Sequence, residues 1–280
     1  MKHIVWLIMA MALFVSACAE DKTGAEEESA QEMKQEQTAD HDETEQPQEE
    51  NEASAVRRQV QSEQNQSTAP LYQIDTETSS VLPIDDKATE KAVLPTIDDA
   101  PDEYALEMAN TLESLEAKAI FFVNGHFLNS PEEQEILKQI HGMGFEIGNH
   151  TNSHSYLPDL PDKEQKEEII SLNDKVKKII GERPRFFRPP NGANTDFTKQ
   201  FIKDEGMVSM NWTYGYDWEE EYQSKEAITE VMLETEYLRN GANLLMHDRE
   251  WTAAALEDIV TGLREQGYNI VDPDSIKTIE

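Results

Sequence analysis

Short apolar runs alternate with longer amphipathic stretches along the chain from residue 92 onward. Ala92-Val93-Leu94 leads into Thr96-Ile97-Asp98-Asp99 as a strand, and Tyr104 to Leu115 carries Leu106, Met108, Leu112 and Leu115 at helical spacing. Ala119-Ile120-Phe121-Phe122-Val123 is a continuous apolar run closed by Asn124-Gly125, the pattern of a buried strand. The same alternation predicts helices over 132–143, 163–180, 195–205, 224–239 and 252–266, with strands over 145–147, 186–188, 208–212, 243–246 and 268–271. Strands separated by helices pair in parallel, because each crossover helix returns the chain to the same end of the sheet. About seven such units in roughly two hundred residues predict an α/β fold, a distorted (β/α) barrel of about seven strands, closed or nearly closed, in a single domain over 70–280. Pro95 is discordant, since it stands where a strand should donate hydrogen bonds.

Before residue 70 the alternation is absent. From Ala19 to Ala69 the chain is Glu, Gln, Asp, Ser and Ala with almost no aromatic or β-branched residue, too little apolar surface to offset the entropy of ordering it. A disordered, self-repelling tether is expected over 18–69. The formal net charge of −33, a third of it in this stretch (15 acidic against 4 basic residues), excludes nucleic acid as a partner. At the start, Lys2 and His3 precede an apolar run, Ile4 to Val15, too short to remain across a bilayer, followed by the small residues Ser16 and Ala17. Residues 1–17 read as a secretory signal peptide. Val15-Ser16-Ala17-Cys18 resembles a bacterial lipobox, which would make Cys18 the lipidated first residue of an exported protein anchored on the outer face of a bacterial membrane. The alternative is an ordinary secretory signal with an incidental cysteine. Cys18 is the sole cysteine, so no intrachain disulfide forms.

The polar residues of interest fall at one kind of place. Asp98-Asp99, His150, Arg188, Asp217 and His247 each follow a predicted strand, and a parallel barrel opens all its strand ends onto one face. His150-Thr151-Asn152-Ser153-His154 offers two imidazoles four positions apart, able to reach a common point from a helix or a tight turn. Thr, Asn and Ser favour caps and turns, so the pair is placed where a strand over 144–148 gives way to a loop or a first helical turn. A solvated loop that happens to hold two histidines is the other reading. The adjacent carboxylates of Asp98 and Asp99 suit a ligand beside a base, or an ordinary acidic loop. Pro83-Ile84-Asp85-Asp86 looks similar but lacks the strand before and the helix after, and is set aside.

Five segments, in order, carry a resemblance. They are Thr96-Ile97-Asp98-Asp99-Ala100-Pro101, the His150 to His154 segment prefaced by Glu146-Ile147-Gly148-Asn149, Arg188-Pro189-Pro190-Asn191-Gly192, Asp217-Trp218, and Leu245-Met246-His247. With the Lys118 to Gly125 strand, they make the chain after about Val81 resemble the polysaccharide deacetylases, the NodB-homology family of metal-dependent carbohydrate esterases (carbohydrate esterase family 4). The resemblance implies that Asp99, His150 and His154 bind a divalent metal, zinc in the first place, with cobalt, nickel or manganese as alternatives. It makes Asp98 the general base toward the attacking water and His247 the general acid toward the departing amine. The backbone N–H of Asn191 would help hold the oxyanion, Trp218 and Leu245 would line the acetyl pocket, and Arg188 would hold Asp98 in place. Asp217 would orient Arg188 or His247.

Three departures accompany it: Ala100 replaces a glycine, Asn191 replaces an aromatic residue, and Pro95 stands one residue before Thr96. Tyr214 and Tyr216 read equally as sugar-stacking or packing residues, and His126 and His141 stand outside the motifs. The implied activity is metal-dependent N-deacetylation of a GlcNAc-containing polysaccharide (peptidoglycan, exopolysaccharide or chitin oligomers) at the cell surface, by a protein expected to be a monomer. The alternatives are an O-acetyl xylan esterase, or a non-catalytic sugar-binding surface lipoprotein of the same fold, which would be expected to have lost Asp98 or His247.

Overall fold

The computed structural model describes residues 69–279. The segment read as a signal peptide (1–17), Cys18 and the segment read as a tether, up to residue 68, lie outside the described residues. Among those described, no helix is long and apolar enough to cross a membrane.

Two short strands, β1 (Tyr72–Ile74) and β2 (Val81–Pro83), form an antiparallel pair apart from the main sheet. The rejected Asp85-Asp86 pair follows this hairpin on the surface, with Asp85 paired to Lys87. The main sheet comprises β3 (Ala92–Ala100), β4 (Ile120–Val123), β5 (Glu146–Asn149), β6 (Phe186–Phe187), β7 (Val208–Ser209), β8 (Ala242–His247) and β9 (Asn269–Ile270). It has seven strands, in the order β7-β6-β5-β4-β3-β8, with β9 joined to β3. All the main-sheet pairings are parallel, as the alternation requires. The helices are α1 (Ala105–Ser114), α2 (Pro131–Gly142), α3 (Asp162–Ile180), α4 (Asp196–Asp204), α5 (Lys225–Glu234) and α6 (Glu250–Glu265).

Local chemistry accounts for several boundaries. Ser130 and Glu133 form a reciprocal capping box around Pro131 at the start of α2, and Gly181 ends α3 in the left-handed region. Helix α5 stops at Glu234, short of the predicted 239, because Thr235 turns extended and its hydroxyl bonds to the Tyr216 hydroxyl at 2.7 Å. Pro95 is accommodated inside β3. The Val93 carbonyl accepts from Val271 on the β9 side, and β9 pairs only with Ala92 and Val93. Since β4 begins opposite Thr96, Pro95 falls in the break between those two neighbours, where a missing donor costs least.

The seven-stranded parallel sheet curls into an incomplete barrel with helices around it, the distorted (β/α) barrel that the sequence suggests. Predicted strand 208–212 is hydrogen-bonded as a strand only over Val208–Ser209. Beyond it the chain crosses to β8 through a single bridge, Tyr214 with Leu244, flanked by Thr213 N–H to Asn243 and Leu245 N–H to Tyr214, each at 2.8 Å. Gly215 permits this approach, since a Cβ there would stand 2.4 Å from the Leu245 carbonyl oxygen. Tyr214 is core, buried with its hydroxyl donating to the Met232 carbonyl, and Tyr216 packs beside it. Both tyrosines are therefore packing residues.

Candidate active site

Adjacent residues in a regular strand face opposite sides of the sheet. Asp98 and Asp99 nevertheless line the same cleft. The β3–β4 register shifts between Ile97 and Ala100, and Asp99 takes a φ of 60° in the left-handed region, so the bulge re-aims its carboxylate. Ala100 itself has no positive φ, and the glycine freedom lost there is not needed.

His150 follows β5, and His154 lies in a loop rather than a helical turn. Thr151 and His154 both have left-handed φ values, 70° and 58°. Glu168 of α3 fastens this loop, accepting from the Ser153 N–H and hydroxyl through its carboxylate and from the Asn152 N–H through its carbonyl. The two rings are 5.0 Å apart between centroids. Asp99 Oδ1 lies 3.9 Å from His150 Nε2 and 3.6 Å from His154 Nε2. One ligand atom from each of the three residues falls within 4.8 Å of the others. His150 Nδ1 is 2.7 Å from the Arg188 carbonyl, which can only accept, so Nδ1 carries the proton and Nε2 turns its lone pair to the cleft. Burial lowers the His150 pKa, outweighing the upward pull of Asp98 and Asp99, and so favours the neutral ring that binds metals. One carboxylate oxygen and two imidazole nitrogens, open on one side, fit a divalent cation in a catalytic setting.

Asp98 is held from behind. Arg188 is fully buried, with Nη1 donating to Asp98 Oδ1 and to Thr96 Oγ1, each at 2.7 Å. Its Nη2 donates to the Asn211 carbonyl at 2.7 Å and to Asn243 Oδ1 at 3.2 Å, and the guanidinium lies over the Phe122 ring. Burial pushes the Arg188 pKa below its ordinary value, against the opposing charge and hydrogen bond of Asp98. The other Asp98 oxygen, Oδ2, faces His150 Nε2 at 3.5 Å.

Of the two partners expected for Asp217, the structure selects His247. Asp217 Oδ1 meets His247 Nδ1 at 2.7 Å, while Oδ2 accepts from the His247 backbone N–H at 2.6 Å and the Thr252 hydroxyl at 2.8 Å. Asp217 is not at a strand end as expected; it lies well past β7, and Trp251 pins its carbonyl through an indole hydrogen bond at 2.8 Å. Burial of the His247 ring works against its protonated form, but the hydrogen bond and charge of Asp217, with smaller contributions from Asp98 and Asp99, raise its pKa above the ordinary histidine value. A cation held by Asp99 would offset the smaller contributions and leave the Asp217 contact in place.

Trp218 is 45% exposed and edge-on to His247, whereas Leu245 is buried beneath the cleft. With Asn191 they line a cleft of about 590 Å³ that also holds Asp98, Asp99, His150, His154, Asp217 and His247. Asn191 has a φ of 57°, a conformation asparagine accepts more readily than an aromatic residue would. A larger cavity of about 860 Å³ beyond Gly192 and Asn211 contains none of the expected site residues. Thr96, Asn243, Asp248, Arg249 and Thr252 escaped the sequence reading as contributors. Thr96 stood inside a motif, and its position there was the one available signal.

A carboxylate and two imidazoles at the strand ends of an incomplete parallel barrel, beside a buried carboxylate and a carboxylate-backed imidazole, have the layout of a metal-assisted hydrolytic centre. The family described as polysaccharide deacetylase matches residues 85–210. A peptidoglycan-N-acetylglucosamine deacetylase of Bacillus cereus is 30% identical over 187 residues, covering 65% of this chain and 86% of the relative. The uncharacterized protein YlxY of Bacillus subtilis is 29% identical over 171 residues, covering 60% of this chain and 51% of YlxY, so the chain spans about half of that relative. Among solved structures, BA3943 of Bacillus anthracis, a CE4 family pseudoenzyme, is 28% identical with a TM-score of 0.60, covering 65% of this chain and 64% of that one. The chain belongs to the polysaccharide deacetylase family.

Proposed function

We propose that this protein is a metal-dependent N-deacetylase of a GlcNAc-containing polysaccharide, exported and tethered through Cys18 and the 18–69 segment at the cell surface. The observation that carries the reading is one cleft shared by the Asp99–His150–His154 cluster, Asp98 on its arginine, and His247 on its aspartate.

Asp99, His150 and His154 would hold the cation, which when bound lowers the pKa of water and polarises an acetamide carbonyl. Asp98, fixed at Oδ1 by Arg188, keeps Oδ2 free to take the proton of the attacking water. The Asn191 backbone N–H would donate to the oxygen that gains charge as water adds to the carbonyl carbon. Asp217 holds the Nδ1 side of His247, so the Nε2 proton is the one delivered to the sugar nitrogen as the C–N bond breaks. Acetate and a free amine leave. Trp218 and Leu245 supply apolar walls for the acetyl methyl.

A non-catalytic role has a precedent in BA3943, which shares the fold and is a pseudoenzyme. Retention here of both candidate proton-transfer groups, Asp98 and His247, favours turnover. Acetate release by the purified protein from peptidoglycan, chitooligosaccharides and acetylxylan tests the choice. Release from a GlcNAc polymer, stopped by a chelator and restored by zinc, is expected. No release from any of them, or release that ignores the chelator, would overturn the reading.

The acid role sets a pH dependence. His247 must be protonated to act, so activity falls as pH rises through its raised pKa. Asp217→Asn removes the largest upward influence on that pKa, and the alkaline limb of the kcat profile should move to lower pH. An unmoved limb would remove His247 from the acid role.

A further inference from the structure

Arg249 lies in the catalytic cleft, yet it belongs to none of the five motifs. Histidines aside, it is the only cationic side chain lining the cleft among the described residues. Its place is built into the fold. The preceding Asp248 is buried and accepts from the backbone N–H groups of Asp102 and Tyr104, at 2.6 and 2.5 Å, which ties the start of α6 to the loop after β3. The Arg249 guanidinium reaches Asp99 Oδ2 at 3.3 Å and stands 3.8 Å from Asp102 Oδ2, with the side chain 38% exposed. Asp99 is thus divided, with Oδ1 toward the two histidines and Oδ2 toward Arg249.

A divalent cation on Asp99, His150 and His154 would neutralise the carboxylate that now faces Arg249, leaving the guanidinium with Nη1 beside Asp102 at 3.8 Å and Nη2 to the substrate side. Such a fork pairs best with another carboxylate. N-acetylglucosamine has no group that calls for this charge. An amino sugar with a carboxylate-bearing ether on the carbon next to its acetamido carbon has one, close to the bond being cut. The rest of this strongly acidic chain would repel such a sugar, so a cation beside the ligand set is a selective feature.

We infer that Arg249 selects a carboxylate-bearing amino sugar, the N-acetylmuramoyl unit, as the residue whose acetamide is cut. This rests on the deacetylase reading above. The test compares muramoyl-containing oligosaccharides carrying free carboxylates with the same compounds capped as methyl amides, in the wild-type protein, Arg249→Gln and Arg249→Lys. The wild type should favour the free acid in kcat/KM by about tenfold, equivalent to about 1.4 kcal/mol. Added salt should reduce that ratio, which in Arg249→Gln should fall to about one, chiefly through KM, with Arg249→Lys in between. Because Arg249 also touches Asp99, the ratio of substrates within each variant is the quantity that counts; a general loss through the metal cancels in it. An equal response to both substrates in the wild type, or an unchanged ratio in Arg249→Gln, overturns the inference. If the wild type releases acetate from neither but does so from chitooligosaccharides, the inference is overturned and the deacetylase reading stands. If it releases acetate from none of them, that reading fails, and calorimetric binding of the two muramoyl oligosaccharides decides Arg249 by itself. Equal affinities in the wild type and Arg249→Gln would sink it.

Discussion

Asp98→Asn is expected to lower kcat by about a thousandfold, within the range for losing a general base, while the protein keeps its metal. The amide retains an oxygen where Arg188 Nη1 now sits 2.7 Å from Oδ1, so the side chain can stay in place. It cannot take a proton from water. Asp99, His150 and His154 are untouched, so metal content measured by elemental analysis should equal that of the wild type. Loss of metal together with activity would mean that the roles of Asp98 and Asp99 are exchanged. Full activity would remove the base from the mechanism altogether. The metal measurement discriminates between the two assignments, because the carboxylates are adjacent and both stand within 4 Å of His150 Nε2.

Arg188→Met should be the most damaging substitution for stability. The guanidinium is fully buried and meets Asp98, Thr96, Asn211 and Asn243 at once. Methionine fills similar space but leaves Asp98 charged and unpaired in a dry site, a loss of about 3–5 kcal/mol for a broken buried pair. In a domain of this size that corresponds to a fall in Tm of roughly 10 °C. Thermal unfolding followed by circular dichroism measures it, and a change under about 1 kcal/mol would show that Asp98 does not depend on Arg188. Combining Arg188→Met with Asp98→Asn should recover part of the loss, since no net buried charge remains. Activity should not recover with it.

Much of the scaffold is legible in the amino-acid sequence. The alternation of apolar runs and helical spacing reports burial, and burial on both faces of a parallel sheet leaves a continuous apolar signature such as Ile120 to Val123. Shortfalls came where a segment is held by one or two long-range contacts. The stretch after Ser209 looks like a strand in composition, but it bridges to β8 at a single residue, Tyr214. The signal peptide, the Cys18 anchor and the tether up to residue 68 rest on composition and motif, and they remain proposals.

The candidate site divides along the same line. Strand-end placement and the five segments that carry the family resemblance point to Asp98, Asp99, His150, His154, Arg188, Asp217 and His247 as candidates. Which of them touch was another matter. Asp217 could have backed Arg188 or His247, and only the path from β7 back to β8 brings it to His247 Nδ1. The bulge and left-handed φ that aim Asp99 beside Asp98 depend on the register with β4. Arg249 reaches Asp99 across 150 positions of chain, and no local pattern encodes a contact of that length. Sequence determines which groups are available and how each segment is inclined to fold; their pairing is a property of the packed barrel, where residues far apart in the chain share one strand-end face.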